Sequence, residues 1–210
     1  MRWVLAIFAL PTLCGCAGTS DNSALSETTG PRIGKPQSIK FGPKANLGLL
    51  NGSRRLHVGD PWKEGLSFYA KPENAADIRD VPPGWETLYR GRGWQTNNES
   101  FGILIYEDYV ALAIRIYEHA DEDFFNETLA RYQARFPDLK PISETAKVAR
   151  YLFAQENKDR LMICATRAYA GDLTITIAVG HADVMDGLHM SPDAAKVDAE
   201  RAENSFKVIG

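Results

Sequence analysis

Between residues 101 and 116 the apolar side chains fall at every second position, in two runs. Phe101, Ile103 and Ile105 make the first, Val110, Leu112, Ile114 and Ile116 the second, and Glu107-Asp108 separates them. Period two places successive side chains on opposite faces of an extended chain, so the pattern predicts a β-hairpin with one face buried. A half-buried hairpin is not stable alone and must be covered by other elements. The rest of the chain has to supply that cover.

Three more strands are expected at Val148–Ala154, Leu161–Arg167 and Leu173–Val179, separated by polar or glycine-containing loops. In the last, Leu173, Ile175, Ile177 and Val179 point one way and Thr174 and Thr176 the other. Short connections between consecutive strands imply antiparallel pairing. Helices are expected at Asp60–Ala70, at Asp121–Phe136 and from Ser191 onward. Asp60 and Ser191 stand as caps, and Pro61 and Pro192 suit a first helical position. The apolar stripes are Trp62, Leu66 and Tyr69, then Phe125, Leu129, Tyr132 and Phe136, then Ala195, Ala199, Ala202 and Phe206. The expected class is α+β, with an antiparallel sheet of about five strands and helices packed on it.

The amino terminus is of another kind. Arg2 precedes an eleven-residue apolar run, Trp3–Leu13, interrupted by Pro11. Crossing a bilayer takes about twenty apolar residues, so this run fits the hydrophobic region of a cleavable leader instead. It ends in Leu13-Cys14-Gly15-Cys16-Ala17, which resembles the lipobox of bacterial lipoproteins: an aliphatic residue, two small ones, then the cysteine. The resemblance implies that Cys16 becomes the lipidated first residue of the mature protein. With Ala17 rather than an acidic residue after it, the implied site is the outer membrane, facing the periplasm. The alternative is an ordinary signal peptide cut near Ala17 or Gly18, leaving a soluble secreted protein. The expected layout is signal peptide over 1–15, lipidated end and flexible tether over 16–45, and one α+β domain over 46–210. The tether is assigned because that stretch is rich in Ser, Thr, Gly, Pro and Asn and lacks apolar periodicity.

Two further resemblances concern the folded part. Val58-Gly59-Asp60 opening a helix ahead of a hairpin is similar to small outer-membrane assembly lipoproteins of the SmpA/OmlA type. The later strand, helix and three-strand order, closing with Ala202-Glu203-Asn204-Ser205-Phe206, resembles PsbP-type α/β/α domains. Each covers less than half of the chain, and no functional residue is carried over from either.

The chemistry of the sequence is sparse. A formal net charge of −3 gives no general attraction to phosphate backbones, and nucleic acid is not an expected partner. No Gly-x-Ser-x-Gly elbow is present. Gly30-Pro31-Arg32-Ile33-Gly34-Lys35 is one residue short of a P-loop and lies in the expected tether. Cys14 leaves with the leader and Cys16 is consumed by lipid. Only Cys164 remains, in the apolar run Leu161–Ala165, where a buried inert thiol is expected. His181, Asp183, Asp186 and His189 are the one metal-like group. Their spacing matches no diagnostic zinc pattern, so the expected reading is a polar helix face above inward-facing Val184, Met185 and Leu188. Neither a metal nor a cofactor is expected. The carboxylate pairs Glu107-Asp108 and Asp121-Glu122-Asp123 read as a hairpin tip and a helix start, and His57 and His119 stand alone.

One segment stands out. Trp85, Tyr89, Arg90, Arg92 and Trp94 fall within ten residues, beside Gly91 and Gly93. Arginine and large aromatic residues dominate binding hot spots, so these five are the candidate partner-binding residues. Packing of the tryptophans on one end of the sheet is the competing reading. The expected role is a non-catalytic binding or accessory module. It is held to the membrane by lipid and binds an envelope protein, a cell-wall component or a small ligand. The rival is an envelope hydrolase whose active site is assembled from dispersed residues.

Overall fold

The computed structural model describes residues 33–69, 81–143, 146–167 and 171–209. The leader, Cys16 and the expected tether up to residue 32 lie outside the described residues. No helix among the described residues is long and apolar enough to cross a membrane.

Seven strands form one antiparallel sheet. They are β3 (Arg90–Gln95), β4 (Glu99–Tyr106), β5 (Tyr109–Ala120), β6 (Lys140–Pro141), β7 (Ala149–Glu156), β8 (Asp159–Arg167) and β9 (Leu173–His181). Their order across the sheet is β3-β4-β5-β9-β8-β7-β6. A separate hairpin joins β1 (Leu49–Asn51) to β2 (Arg54–Leu56). Four helices are described: α1 (Trp62–Tyr69), α2 (Glu122–Gln133), α3 (Ala182–Gly187) and α4 (Pro192–Ile209). The α+β class stands, with more strands than the expected five. β3, Arg-Gly-Arg-Gly-Trp-Gln, has glycine on one of its faces and so carries no apolar alternation to mark it as a strand. β6 is two residues long and contains a proline, which belongs at an edge.

Both faces of the sheet are covered. The first face carries Phe101, Ile103, Ile105, Ile163, Ile175, Ile177 and Val179. It packs under the β1–β2 hairpin, under Phe125 and Tyr132 of α2, and against Trp62 of α1. On the second face Leu104, Leu112, Ile114, Met162, Cys164 and Ala178 pack against Val184 and Met185 of α3, Ala195 and Ala199 of α4, and Trp85 and Tyr89. β8 is consequently buried at eight successive positions.

This two-sided cover corrects the expectation for the first hairpin. Leu104 pairs with Leu112, but Ile105 pairs with Val110, so Ala111 is an extra residue. Such a bulge reverses the facing of everything beyond it. Phe101, Ile103, Ile105 and Val110 therefore lie on the first face, whereas Leu112, Ile114 and Ile116 lie on the second. The turn itself is where the sequence puts it. Glu107 and Asp108 have φ of 48° and 75°, the left-handed pair that a two-residue hairpin turn requires.

The helix starts differ in detail. Asp121, expected as the first residue of α2, is its cap instead, accepting the Phe124 N–H at 2.8 Å. Ser191 Oγ accepts the Ala194 N–H at 3.1 Å, at the start of α4. Asp60 does not cap α1. Its carboxylate accepts the His57 N–H at 2.7 Å and the Lys44 ammonium at 2.6 Å, while the Trp62 N–H donates to the Asp108 carbonyl.

The expected tether is corrected at its carboxy-terminal end, because residues 33–45 lie on the domain. Ile39 is buried in the second core and Leu47 in the first, so the segment crosses from one face to the other. Its Gly34 N–H donates to the Gly187 carbonyl at 2.7 Å. At the crossing, Asn46 N–H donates to Glu156 at 2.8 Å, and the Ala45 N–H donates to Asp159.

Candidate functional site

The segment Trp85–Trp94 does not form one surface. The backbone turns helically at 85–89, with the Tyr89 N–H donating to the Trp85 carbonyl at 2.9 Å. That puts residues 85 and 89 on the same side. Each is 1% exposed, and the two rings stack at 5.2 Å within the second core. Trp85 and Tyr89 are therefore withdrawn from the candidate binding residues. Their aromatic mass fills the core, and their polar tips grip the 33–45 segment: Trp85 Nε1–H donates to the Gly34 carbonyl at 2.8 Å, and the Tyr89 hydroxyl to the Gln37 carbonyl at 2.5 Å. Burial pushes the Tyr89 hydroxyl up to about 12, so it remains a donor.

The other three candidates lie along β3, at the edge of the described sheet. Arg90, Arg92 and Trp94 pair with Ile105, Ile103 and Phe101 and so share the first face. Arg90 reaches Asp108 at 2.6 Å, but both side chains are well exposed, and such a pair contributes about 1 kcal/mol or less. The Arg92 guanidinium sits over the Trp62 ring at 5.6 Å. Trp94 is half-buried against Phe101, ring centroids 6.4 Å apart. Its indole Nε1–H is buried and has no hydrogen-bond partner among the described residues. An unsatisfied buried donor costs about 1–3 kcal/mol.

Three residues that sequence patterning does not single out extend this corner. Arg115 lies across from Phe101 in β5, pairs with Glu99, and covers the Tyr117 ring at 4.8 Å. Tyr117 meets Phe124 edge-on at 4.9 Å, and Phe124 is 37% exposed. The signal for them was present. Arg115 interrupts an apolar strand, and Phe124 lies off the buried stripe of α2. Cationic and aromatic groups gathered on one face suit the recognition of an anionic or carbonyl-bearing group.

The metal-like group is dispersed. His181 is buried and caps α3, its Nδ1 accepting the Asp183 N–H at 3.3 Å. Asp186 pairs with the buried Arg160 at 2.5 Å. Val184, Met185 and Leu188 pack inward. Among the described residues no three His, Cys, Asp or Glu side chains are gathered as a metal site. Cys164 is buried, and burial pushes its thiol up to about 12. That removes thiolate character at neutral pH. Glu107 and Asp108 are exposed at the hairpin tip. Glu122 bridges Arg150, at 2.9 Å, and Arg167.

Asp159 is the unusual carboxylate. It is 7% exposed, and burial pushes it up to about 6, against the lowering effect of the Ala45 N–H. A raised carboxyl favours the fold below its unfolded value of about 3.8, and that contribution is lost as pH rises through about 6. Asp159→Asn removes the burial cost of the charge while keeping an acceptor for Ala45. It should gain about 1–2 kcal/mol in urea unfolding at pH 7.5 and nothing near pH 3.5. A pH-independent difference would disprove the assignment. His181 acts in the opposite sense. Burial lowers it, so its contribution is lost as pH falls below about 6.5.

Comparison with protein-family models, with curated proteins and with solved structures finds no match.

Proposed function

We propose that this chain is a lipid-anchored envelope protein that acts by binding, and that its recognition surface is the first-face corner formed by Arg92, Trp94, Arg115, Tyr117 and Phe124. One observation carries the surface: Arg92 and Trp94 of the edge strand lie on the same face as Arg115 and Tyr117 of β5, with the partly exposed Phe124 edge-on to Tyr117. A partner that brings an anionic oxygen to this face gains charge-assisted and cation–π contacts from the arginines and rings. An anionic cell-wall component or an acidic protein segment has that chemistry. The leader and Cys16 support the membrane attachment, and Ala17 supports the outer membrane facing the periplasm.

Two measurements test the two halves of this reading. Mass spectrometry of the mature chain should find fatty acyl chains on Cys16, and Cys16→Ser should release the protein from membranes; an unmodified terminus upstream of Cys16 would end the envelope assignment. For the surface, crosslinking capture from native membranes should fall about tenfold with Trp94→Ala. Trp94→Ala should cost only about 1–2 kcal/mol of stability, since the ring is half-buried. Unchanged capture by a folded variant would remove the surface.

A further inference from the structure

The 33–41 segment is held largely through its backbone. Hydrogen bonds to its backbone fix it to the body: the Gly34 carbonyl to Trp85 at 2.8 Å, the Gln37 carbonyl to Tyr89 at 2.5 Å, and the Gly34 N–H to Gly187 at 2.7 Å; the Ser38 side chain adds a bond to Tyr106. Only Ile39 is buried as a side chain, at 6% exposure, with Phe41 half-buried against Tyr106 and Tyr109. Lys35, Gln37, Ser38 and Lys40 are exposed. Backbone hydrogen bonds with alternate side chains as anchors are how proteins read an extended peptide.

The seat is shaped for a closely approaching backbone. A Cβ on Gly187 would come within 2.8 Å of the Trp85 ring, and one on Gly34 within 3.2 Å of Gly187 Cα. Trp85 and Tyr89 are core residues whose donors lose these acceptors if the segment departs, and the carbonyls of another extended peptide would satisfy both. The segment joins the body through exposed Gly42, Pro43 and Lys44.

We propose that the face formed by Trp85, Tyr89 and Gly187 is a peptide-binding groove that the chain fills with its own residues 33–41. Its occupant in trans is an extended peptide from a partner protein, with glycine at the Gly34 position and an apolar residue five positions later. The tethered segment competes at an effective concentration of roughly millimolar or more. Exchange therefore requires a partner peptide at high local density or a weakened segment.

The test uses the full mature chain and a labelled synthetic peptide of residues 33–41, followed by fluorescence polarisation. Ile39→Ala in the chain weakens the internal competitor, and this variant should bind the wild-type peptide at least tenfold more tightly than the unaltered chain does. Adding Tyr89→Phe, which deletes one donor and keeps the ring, should lower that affinity several-fold, and a peptide carrying Ile39→Ala should not compete. Equal binding by the unaltered and Ile39→Ala chains, or no binding by a variant with native circular dichroism, overturns the groove. A dimer of the unaltered chain that the free peptide dissolves would make a second copy the occupant and overturn the separate partner.

Discussion

Trp85→Ala should lower the stability of the domain by about 3–5 kcal/mol, the usual cost of truncating a large aromatic in a packed core. For a domain of this size that is a fall in melting temperature of roughly 10 °C, readable by circular dichroism. The size follows from position. Trp85 is 1% exposed, stacks on Tyr89, lies close against Gly187, and donates to Gly34. Truncation therefore leaves a cavity and also releases one of the bonds holding residues 33–41. Trp85→Phe should recover about half of the loss, because it refills part of the space without restoring the donor. A melting temperature within 2 °C of the unaltered protein would show that the ring is not part of the core.

Glu122→Ala should cost about 2 kcal/mol, through a different mechanism. The Glu122 carboxylate is shared by Arg150 and Arg167, from β7 and β8, and sits in the first turn of α2. Arg150 also lies over the Phe125 ring at 4.2 Å, and its Nε is buried without a partner among the described residues. Removing the carboxylate leaves two guanidinium groups facing each other and takes a favourable anion from the helix start. The side chains are a quarter to two-fifths exposed, which keeps the loss below that of a fully buried pair. Urea unfolding should show the loss, and a Glu122→Ala, Arg167→Ala double variant should be less destabilised than the two single effects summed. Strict additivity would deny that the groups interact.

The strands and helices with strong periodicity were readable in the residues. β7, β8 and β9, the turn at Glu107-Asp108 and the Ser191 cap fall where patterning puts them. What periodicity does not report is which of two cores a side chain enters. A single inserted residue, Ala111, sends Val110 and Leu112 to opposite faces, and in a uniformly apolar run nothing marks the slip. Trp85 and Trp94 show the same limit from the other side. Their composition suggested one aromatic surface, yet the helical turn at 85–89 sends the first into the second core, and β3 holds the second on the first face. Residues 33–45 looked unstructured because their hold on the domain is mostly backbone, with Ile39 the one fully buried large side chain before Leu47. A stretch bonded through its peptide groups leaves little trace in its side chains. Of the surface proposed here, Arg92 and Trp94 were legible as a group. Arg115, Tyr117 and Phe124 joined them only through cross-strand register and the packing of α2.

The order of strands also bears on how the chain reaches this state. The hairpin of β4 and β5 and the meander of β7 to β9 each close locally, through short turns. They meet only at the β5–β9 seam, where Leu112 pairs with Gly180. Joining them means closing a loop of more than fifty residues, between Ala120 and Leu173, which costs entropy before any contact is gained. Until that moment each half presents a bare edge, β5 on one and β9 on the other. The seam is thus the natural rate-limiting event of folding and the point at which an unfinished chain is most exposed to pairing with the wrong strand.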